Sequence, residues 1–300
     1  MYSYPSPTGL AERRIPADER NRIPLALRCL LVEAPGALVL VDTGIGNKED
    51  ARFHDIYGVE NGGEPTRLED ALRAVGFTPD EVTLVLSTHL HFDHVTDVPY
   101  FVFVGWNNGR QSPLRLYGPE GTEHFASRII RPPFQQDIAS RVGHGKSESG
   151  LDPEVIEVKE ASLFLQEEGY SVSAAFTDHG GMPSLAYRVD TGGRRIVITG
   201  DGTPGEDFID YSRDADLMVC ECSGTAEFLA QQPWGAWHLT PEGLGELAAA
   251  AGVKRLVIKH LVMEDITGDR TAAHRMAETI RDHFGGEVMV GEDGLEVDLS

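Results

Sequence analysis

The 300-residue chain is short of three things, and each shortage excludes a class of protein. Its three cysteines, Cys29, Cys220 and Cys222, are too few for a disulfide framework in a chain of this length. A lone C-x-C pair is a weak metal signal, so Cys220 and Cys222 are interpreted as buried structural cysteines. Its 26 basic residues face 48 acidic ones, and the net charge of -22 argues against nucleic acid as partner. No apolar run approaches the roughly 20 residues that span a bilayer.

The beginning of the chain does not have the pattern of an export signal. MYSYPSPTGLAERR has no basic stretch followed by an apolar one, which a signal peptide requires. We therefore expect a soluble cytoplasmic protein with no membrane association. Hydrophobic residues make up 41% of the sequence, enough for a core, and we predict a single domain over residues 1–300.

Strands and helices alternate along the sequence. Residues 24–33 and 37–42 are apolar runs around the turn APGA and predict a hairpin. Thr66 and Glu69 form a capping-box pattern that opens a helix ending at Gly76, and Thr240, Pro241 and Gly252 bound another. Further strands are predicted in VTLVLS, LRLYGP, YSVSAAF, SLAYRVD, RRIVITGD, DADLMVCEC and RLVIKH, and further helices in PEGTEHFASRII and TAAHRMAETIRDHFG.

Segments rich in Gly, Asn and Ser at 105–113 and 141–153 are interpreted as loops, and a hairpin is predicted after the last helix. The sequence does not show whether residues 105–150 form a lid over the site, or whether Trp106, Arg110, Arg128 and Arg131 select substrate. The whole pattern favours an α/β protein whose sheets are covered by helices on their outer faces.

The stretch HLHFDH concentrates metal-capable side chains directly after the apolar run VTLVLS. His89 and His91 are two residues apart and share a face in extended backbone, whereas Asp93 and His94 are adjacent and can point to different sides of a turn. Multiplying residue frequencies gives roughly one such pattern per thousand chains of this composition. The stretch therefore predicts a metal site that feeds two neighbouring ions.

Other predicted strands also end in a residue that can bind metal. SVSAAFTDH ends in His179, RRIVITGD in Asp201 and RLVIKH in His260. Imidazole and carboxylate donors without thiolate suit Zn²⁺, and also Mn²⁺ or Fe. Two such metals about 3.5 to 4 Å apart form a hydrolytic pair that needs a bridging carboxylate, for which Asp201 is the best candidate. Asp42 is predicted to orient a ligand imidazole from behind.

HLHFDH, the DTG from Asp42, the DH at His179, the TGD at Asp201 and the KH at His260 together resemble the metallo-β-lactamase superfamily in order and spacing. The resemblance implies a four-layer αββα sandwich with two Zn²⁺ between the sheets. One metal would be held by His89, His91 and His179, the other by Asp93, His94 and His260, with Asp201 as the bridge.

Within that superfamily the closer likeness is to the branch of ribonuclease Z, small-molecule phosphodiesterases and arylsulfatases. LYGPEG, GMPSLAYRV and the segment from His238 to His260 carry it. The resemblance implies that His238 protonates the leaving group, and we take His238, Asp93 and Asp201 as the catalytic residues. The chain lacks the Gly-rich basic arm that grips tRNA in those nucleases.

The sequence thus predicts a zinc hydrolase in which a metal-bound hydroxide attacks a small phosphodiester-like substrate. A lactonase or other carboxylic-ester hydrolase, or an aryl-sulfate hydrolase, could use the same site, and tRNA 3′ processing is a less favoured alternative. We expect a small-molecule substrate, no nucleic-acid partner, and a homodimer as the one candidate assembly.

Overall fold

The computed structural model describes residues 29–44, 68–205, 207–262, 271–292 and 295–299, and these form two β-sheets. The first sheet has the order β1-β2-β3-β4-β5, with β1 (Leu30–Ala34), β2 (Ala37–Val41), β3 (Leu84–Leu86), β4 (Arg115–Gly118) and β5 (Glu154–Glu157). The second has the order β10-β7-β8-β9-β11-β12-β13, and β6 pairs with β7. Its strands are β6 (Leu163–Glu167), β7 (Tyr170–His179), β8 (Met182–Thr191), β9 (Arg194–Thr199), β10 (Thr203–Pro204), β11 (Leu217–Glu221), β12 (Arg255–Lys259) and β13 (Glu287–Val290).

Helices flank both sheets. They are α1 (Leu68–Ala74), α2 (Phe92–Val95), α3 (Val98–Asn107), α4 (Thr122–Ile129), α5 (Arg131–Gly143), α6 (Phe208–Tyr211), α7 (Ala226–Leu229), α8 (Pro241–Ala251) and α9 (Ala272–His283). Short 3-10 turns lie at Pro79–Glu81 and Gly235–Trp237. Within the described ranges, no helix combines the length and apolarity needed to cross a bilayer.

Three apolar clusters separate the layers. The largest lies between the sheets and joins side chains such as Val39 and Leu86 of the first sheet to Val172 and Tyr187 of the second. A second packs α6, α8 and α9 on the outer face of the second sheet, and a third packs α1, α3 and α4 on the outer face of the first. The predicted four-layer αββα sandwich is therefore confirmed.

The parallel strands explain why the chemistry gathers at one edge. β2 and β3 run parallel in the first sheet, and β9, β11 and β12 run parallel in the second. The C-terminal ends of the strands in each group therefore lie at the same edge of their sheet. Hydrogen bonds tie the two edges together: Leu185 N donates to Thr88 O at 2.9 Å, and Tyr187 Oη donates to Ser87 O at 2.8 Å.

Helix α8 ends as its sequence predicts. The Thr240 hydroxyl accepts from Gly243 N at 3.1 Å, Pro241 occupies the first turn, and Gly252 ends the helix with a φ of 67°, a left-handed conformation that glycine adopts without strain. The first strands form the predicted hairpin over β1 and β2. Residues 24–28, Thr66 and the side chain of Glu69 lie outside the described residues.

Two predictions of local structure, the extent of the two loops and the terminal hairpin, are wrong. Residues 105–107 complete α3 and residues 141–143 complete α5, so only the rest of the two Gly/Asn/Ser-rich segments is irregular. The terminal hairpin is replaced by β13, which pairs parallel to β12, and the described residues after it contain no strand. Trp106 is buried and Arg110 donates to the carbonyls of Phe101 and Val102, so both stabilise the fold and neither is free to select substrate.

Candidate metal centre

Three histidines converge where β3 and β7 end. His89 Nε2 lies 3.1 Å from His91 Nδ1, and His179 Nε2 lies 3.4 Å from the same atom. His89 and His91 follow β3, with His91 in extended backbone, and His179 is the last residue of β7. This is the first predicted ligand group, and its donor atoms lie within 4.8 Å of one another.

The second predicted group lies directly beside the first. Asp93, His94 and His260 also bring their donor atoms within 4.8 Å of one another. Asp201 Oδ2 lies between the groups, 2.9 Å from His260 Nε2, 3.5 Å from His94 Nε2 and 3.8 Å from His89 Nε2. The structure thus brings together all seven residues predicted as ligands, with Asp201 in the central position.

The orientation of His94 is fixed from behind by Asp42. His94 Nδ1 lies 2.9 Å from Asp42 Oδ2, and the same carboxylate accepts from the backbone N–H of Thr88 at 2.8 Å and from its hydroxyl. Burial lowers the pKa of His94, but the charges of Asp201 and Asp42 outweigh it and raise this pKa to about 10. Asp42 therefore has the contact predicted for a residue that orients a ligand imidazole.

Backbone strain is concentrated at this edge. Asp42 and His260 have φ values of 58° and 56°, a region that costs a non-glycine residue about 1 to 3 kcal/mol and persists where the surroundings enforce it. Gly200 precedes Asp201, and a Cβ there would lie 2.8 Å from Leu185 O. The glycine of the TGD sequence thus allows the chain to pass closely enough to place Asp201 between the sheets.

His238 stands next to the two groups. Its ring centroid is 5.1 Å from that of His179 and 5.7 Å from that of His260, and its Nδ1 lies 2.9 Å from Ser223 Oγ and 3.4 Å from Glu221 Oε1. Burial lowers the pKa of His238, but the hydrogen bond and charge of Glu221 more than offset it, and the net shift is upward. The His238 ring is thus held with Nδ1 facing Ser223 and Glu221.

The donor set fits a metal. Burial lowers the pKa values of His89, His91 and His179, so these rings are neutral near pH 7, which is the state that binds a metal. The nitrogens of these neutral rings lie 3.1 and 3.4 Å from one another and carry too few hydrogens for every contact to be a hydrogen bond. A cation between the rings would accept the remaining lone pairs. Asp201 Oδ1, His94 Nε2 and His179 Nδ1 are buried without a hydrogen-bond partner among the described residues. Imidazoles and carboxylates in this number suit Zn²⁺ or a neighbouring first-row metal.

Comparison with known proteins agrees with this geometry. The family model described as the metallo-β-lactamase superfamily matches residues 24–238. The chain belongs to the metallo-β-lactamase superfamily. It is a hydrolase of that superfamily, and its clustered histidines and aspartates are placed where metal ions could bind.

Relatives within the superfamily cover almost the whole chain. A ribonuclease Z of Mycobacterium marinum is 27% identical over 279 residues, which are 90% of this chain and 91% of the relative. Among solved structures, the metallo-β-lactamase fold protein YhfI of Bacillus subtilis has a TM-score of 0.60 at 21% identity, covering 90% of this chain and 91% of its own. The short form of human tRNase Z also has a TM-score of 0.60, at 19% identity and with 92% and 93% covered. These two structures establish the fold alone.

Two residues of the site were missed by the sequence analysis. Glu221 and Ser223 lie in VCECS, a segment in which only Cys220 and Cys222 were assigned a role from the sequence. Cys220 and Cys222 are indeed buried and free, in the outer cluster under α8. In a strand the intervening residue faces the opposite side, so alternation places Glu221 on the face between the sheets. That signal was available, whereas the contacts of Ser223 depend on the fold.

Proposed function

We propose that this member of the metallo-β-lactamase superfamily is a dinuclear zinc hydrolase of small phosphodiester-like substrates, with His238 as the general acid. The observation that carries the proposal is the position of Asp201 Oδ2 between two three-residue donor groups, with His238 beside them. His89, His91 and His179 would hold one ion, Asp93, His94 and His260 the other, and Asp201 would contact both. Mn²⁺ or Fe would fit the same donors.

The bound metals would supply a nucleophile at neutral pH and charge stabilisation for the attacked group. The chain's own residues orient the metal ligands and transfer protons. Asp42 keeps the Nδ1 side of His94 occupied and so leaves Nε2 for the metal side. Asp201 is 2% exposed, and the charges of His260 and His94 hold its pKa well below the usual range against the opposing effect of burial. It is thus an anion at every working pH.

His238 is suited to protonate a leaving oxygen. Its Nδ1 contacts Ser223 and Glu221, so Nε2 is the nitrogen turned away from them. The net upward shift of the His238 pKa, which Glu221 causes against the effect of burial, favours the protonated ring, and a general acid works best when its pKa lies near the working pH. A phosphodiester with an alkoxide leaving group needs that proton.

A small substrate agrees with the charges on α5 and its neighbours. Arg131 pairs with Asp152 and Glu148, and Arg141 pairs with Asp137. These cations are neutralised by acidic groups on the same surface. Together with the net charge of -22, this leaves little attraction for a long phosphate backbone.

A tRNA 3′-processing activity is the second candidate, because the relative from Mycobacterium marinum, named ribonuclease Z, spans 90% of this chain. The charges on α5 weigh against it. The lactonase and aryl-sulfate hydrolase alternatives share the same metal-binding residues, and a substrate panel distinguishes all of them.

The test is hydrolysis of bis(p-nitrophenyl) phosphate by zinc- and manganese-loaded protein, compared with p-nitrophenyl sulfate, a simple lactone and a 3′-extended precursor tRNA. Asp201→Ala is the blank. Diester turnover that disappears in this variant supports the proposal. Turnover of only the lactone or the sulfate would leave the metal site standing and refute the substrate class, and cleavage of only the precursor tRNA would favour the second candidate.

A further inference from the structure

One buried hydroxyl connects the acid to a metal ligand. Ser223 is fully buried just beyond the end of β11, and its Oγ has three polar neighbours. It donates to Glu221 Oε2 at 2.8 Å, and it lies 2.9 Å from His238 Nδ1 and 3.0 Å from His260 Nδ1. The two imidazoles are nearly parallel, with an interplanar angle of 8°.

The hydrogen bonds of Ser223 determine which ring nitrogen of His238 and of His260 carries a hydrogen. A serine hydroxyl has one proton to donate and two lone pairs to accept. Because its proton goes to Glu221, the hydroxyl can only accept from the two histidines, and each Nδ1 must carry a hydrogen. Glu221 is itself fixed, since its Oε1 accepts from Leu239 N at 2.9 Å and cannot turn freely away.

We propose that Ser223 is a positioning residue that sets the tautomer and orientation of His238 and His260 together, so that both rings present Nε2 toward the reaction site. The inference rests on the proposed function for the role of His238 and on the ligand group proposed for His260. With its hydrogen on Nδ1, His260 turns Nε2 toward Asp201 Oδ2, 2.9 Å away, and would offer the Nε2 lone pair to a bound metal. With Nδ1 anchored in the same way, His238 has Nε2 free to hold and release the transferred proton.

Loss of the Ser223 hydroxyl is expected to affect both metal binding and proton transfer, because the hydroxyl contacts both His260 and His238. Removing a hydrogen-bond partner behind a metal ligand usually costs about 10- to 100-fold in metal affinity or activity. Ser223→Ala is therefore expected to weaken zinc binding and, separately, to slow diesters with poor leaving groups more than those with good ones. His238 retains Glu221 Oε1 at 3.4 Å in this variant, so its loss of function is expected to be partial, whereas His260 loses its hydroxyl partner.

The experiment compares Ser223→Ala with Ser223→Thr, which keeps the hydroxyl. Ser212→Ala is the matched control, because Ser212 is equally buried but its hydroxyl donates to Phe208 O outside the site. Zinc affinity is measured by competition with a chromophoric chelator, and diester kinetics are measured at saturating zinc. Expected results are wild-type behaviour for Ser212→Ala, a 10- to 100-fold loss of zinc affinity for Ser223→Ala, and recovery of most of that loss in Ser223→Thr.

A measurement on the unmutated protein keeps the test independent of variant folding. Nitrogen-15 spectra of histidine-labelled, zinc-loaded protein report which ring nitrogen of His238 and of His260 carries a hydrogen. Hydrogens on both Nδ1 atoms are expected. An unprotonated Nδ1 on either ring would overturn the proposal, as would a Ser223→Ala variant with wild-type zinc affinity, or a well-folded Ser223→Thr variant no better than Ser223→Ala. If the substrate panel fails while these spectra hold, the proposed function fails alone.

Discussion

Replacing His238 with alanine is expected to slow the enzyme in proportion to how much the leaving group needs a proton. The ring is 8% exposed, its Nδ1 is held by Ser223 and Glu221, and its centroid is 5.1 Å from that of the proposed ligand His179. A general acid so placed contributes about 10²- to 10⁴-fold, or about 2.7 to 5.4 kcal/mol of transition-state stabilisation at 1.36 kcal/mol per decade. That loss applies to an alkoxide leaving group, whereas p-nitrophenolate departs without a proton.

The assay is kcat/KM for diesters that differ only in leaving-group basicity, measured with His238→Ala beside the exposed control His274→Ala. The zinc content of each variant is measured first, because His238 shares Ser223 with His260. We expect near-normal turnover of bis(p-nitrophenyl) phosphate and the full loss on alkyl diesters. An equal loss on both substrates at normal zinc content would refute the role of His238 as the acid.

Three further predictions follow from contacts around the site and beneath it. Asp42→Ala removes the carboxylate that orients His94 and should weaken zinc binding by about 10- to 100-fold in a chelator competition; unchanged affinity would contradict the role of Asp42. The raised pKa of His94, about 10, means that its proton stabilises the metal-free fold fully below about pH 6.5 and is lost as the pH rises through about 10. Zinc binding at pH 8 should release that proton, which calorimetry in buffers of different ionisation enthalpy detects, and zero release would be contrary. A Cβ on Gly245 would lie 2.8 Å from His283 Cβ, whereas a Cβ on Gly243 has room. The free energy of unfolding of Gly245→Ala, measured in urea, should therefore be about 1 to 3 kcal/mol lower than that of Gly243→Ala. Equal stabilities would refute the close contact of α8 and α9.

The ligand residues could be predicted because each one follows a recognisable apolar strand. A strand sequence and the polar residue after it are local, and parallel strands then carry those residues to one edge. His89, His91, Asp201 and His260 are all found in this way. The contacts of Ser223 could not be predicted, because they depend on β11 and β12 being neighbours, and neighbouring strands are set by the fold.

The missed helices have a similar explanation. α3 is apolar on most sides because it is largely buried, so its sequence lacks the one-sided spacing that indicates a helix. α5 is the opposite case, since only Ile138 is buried and no apolar stripe is present. The terminal hairpin is wrong because β13 follows α9 and pairs parallel to β12, a long-range pairing that the local sequence does not reveal.

The proposed dinuclear centre depends on the central position of Asp201 between two donor groups. The most direct test is the zinc-to-protein ratio of the wild-type chain and of Asp201→Ala after dialysis against metal-free buffer, with Asp282→Ala on α9 as the control. We predict two zinc ions per wild-type chain and per control chain, and loss of at least one ion together with diester turnover in Asp201→Ala. A single zinc ion in the wild type, or two retained by Asp201→Ala, would contradict the dinuclear site.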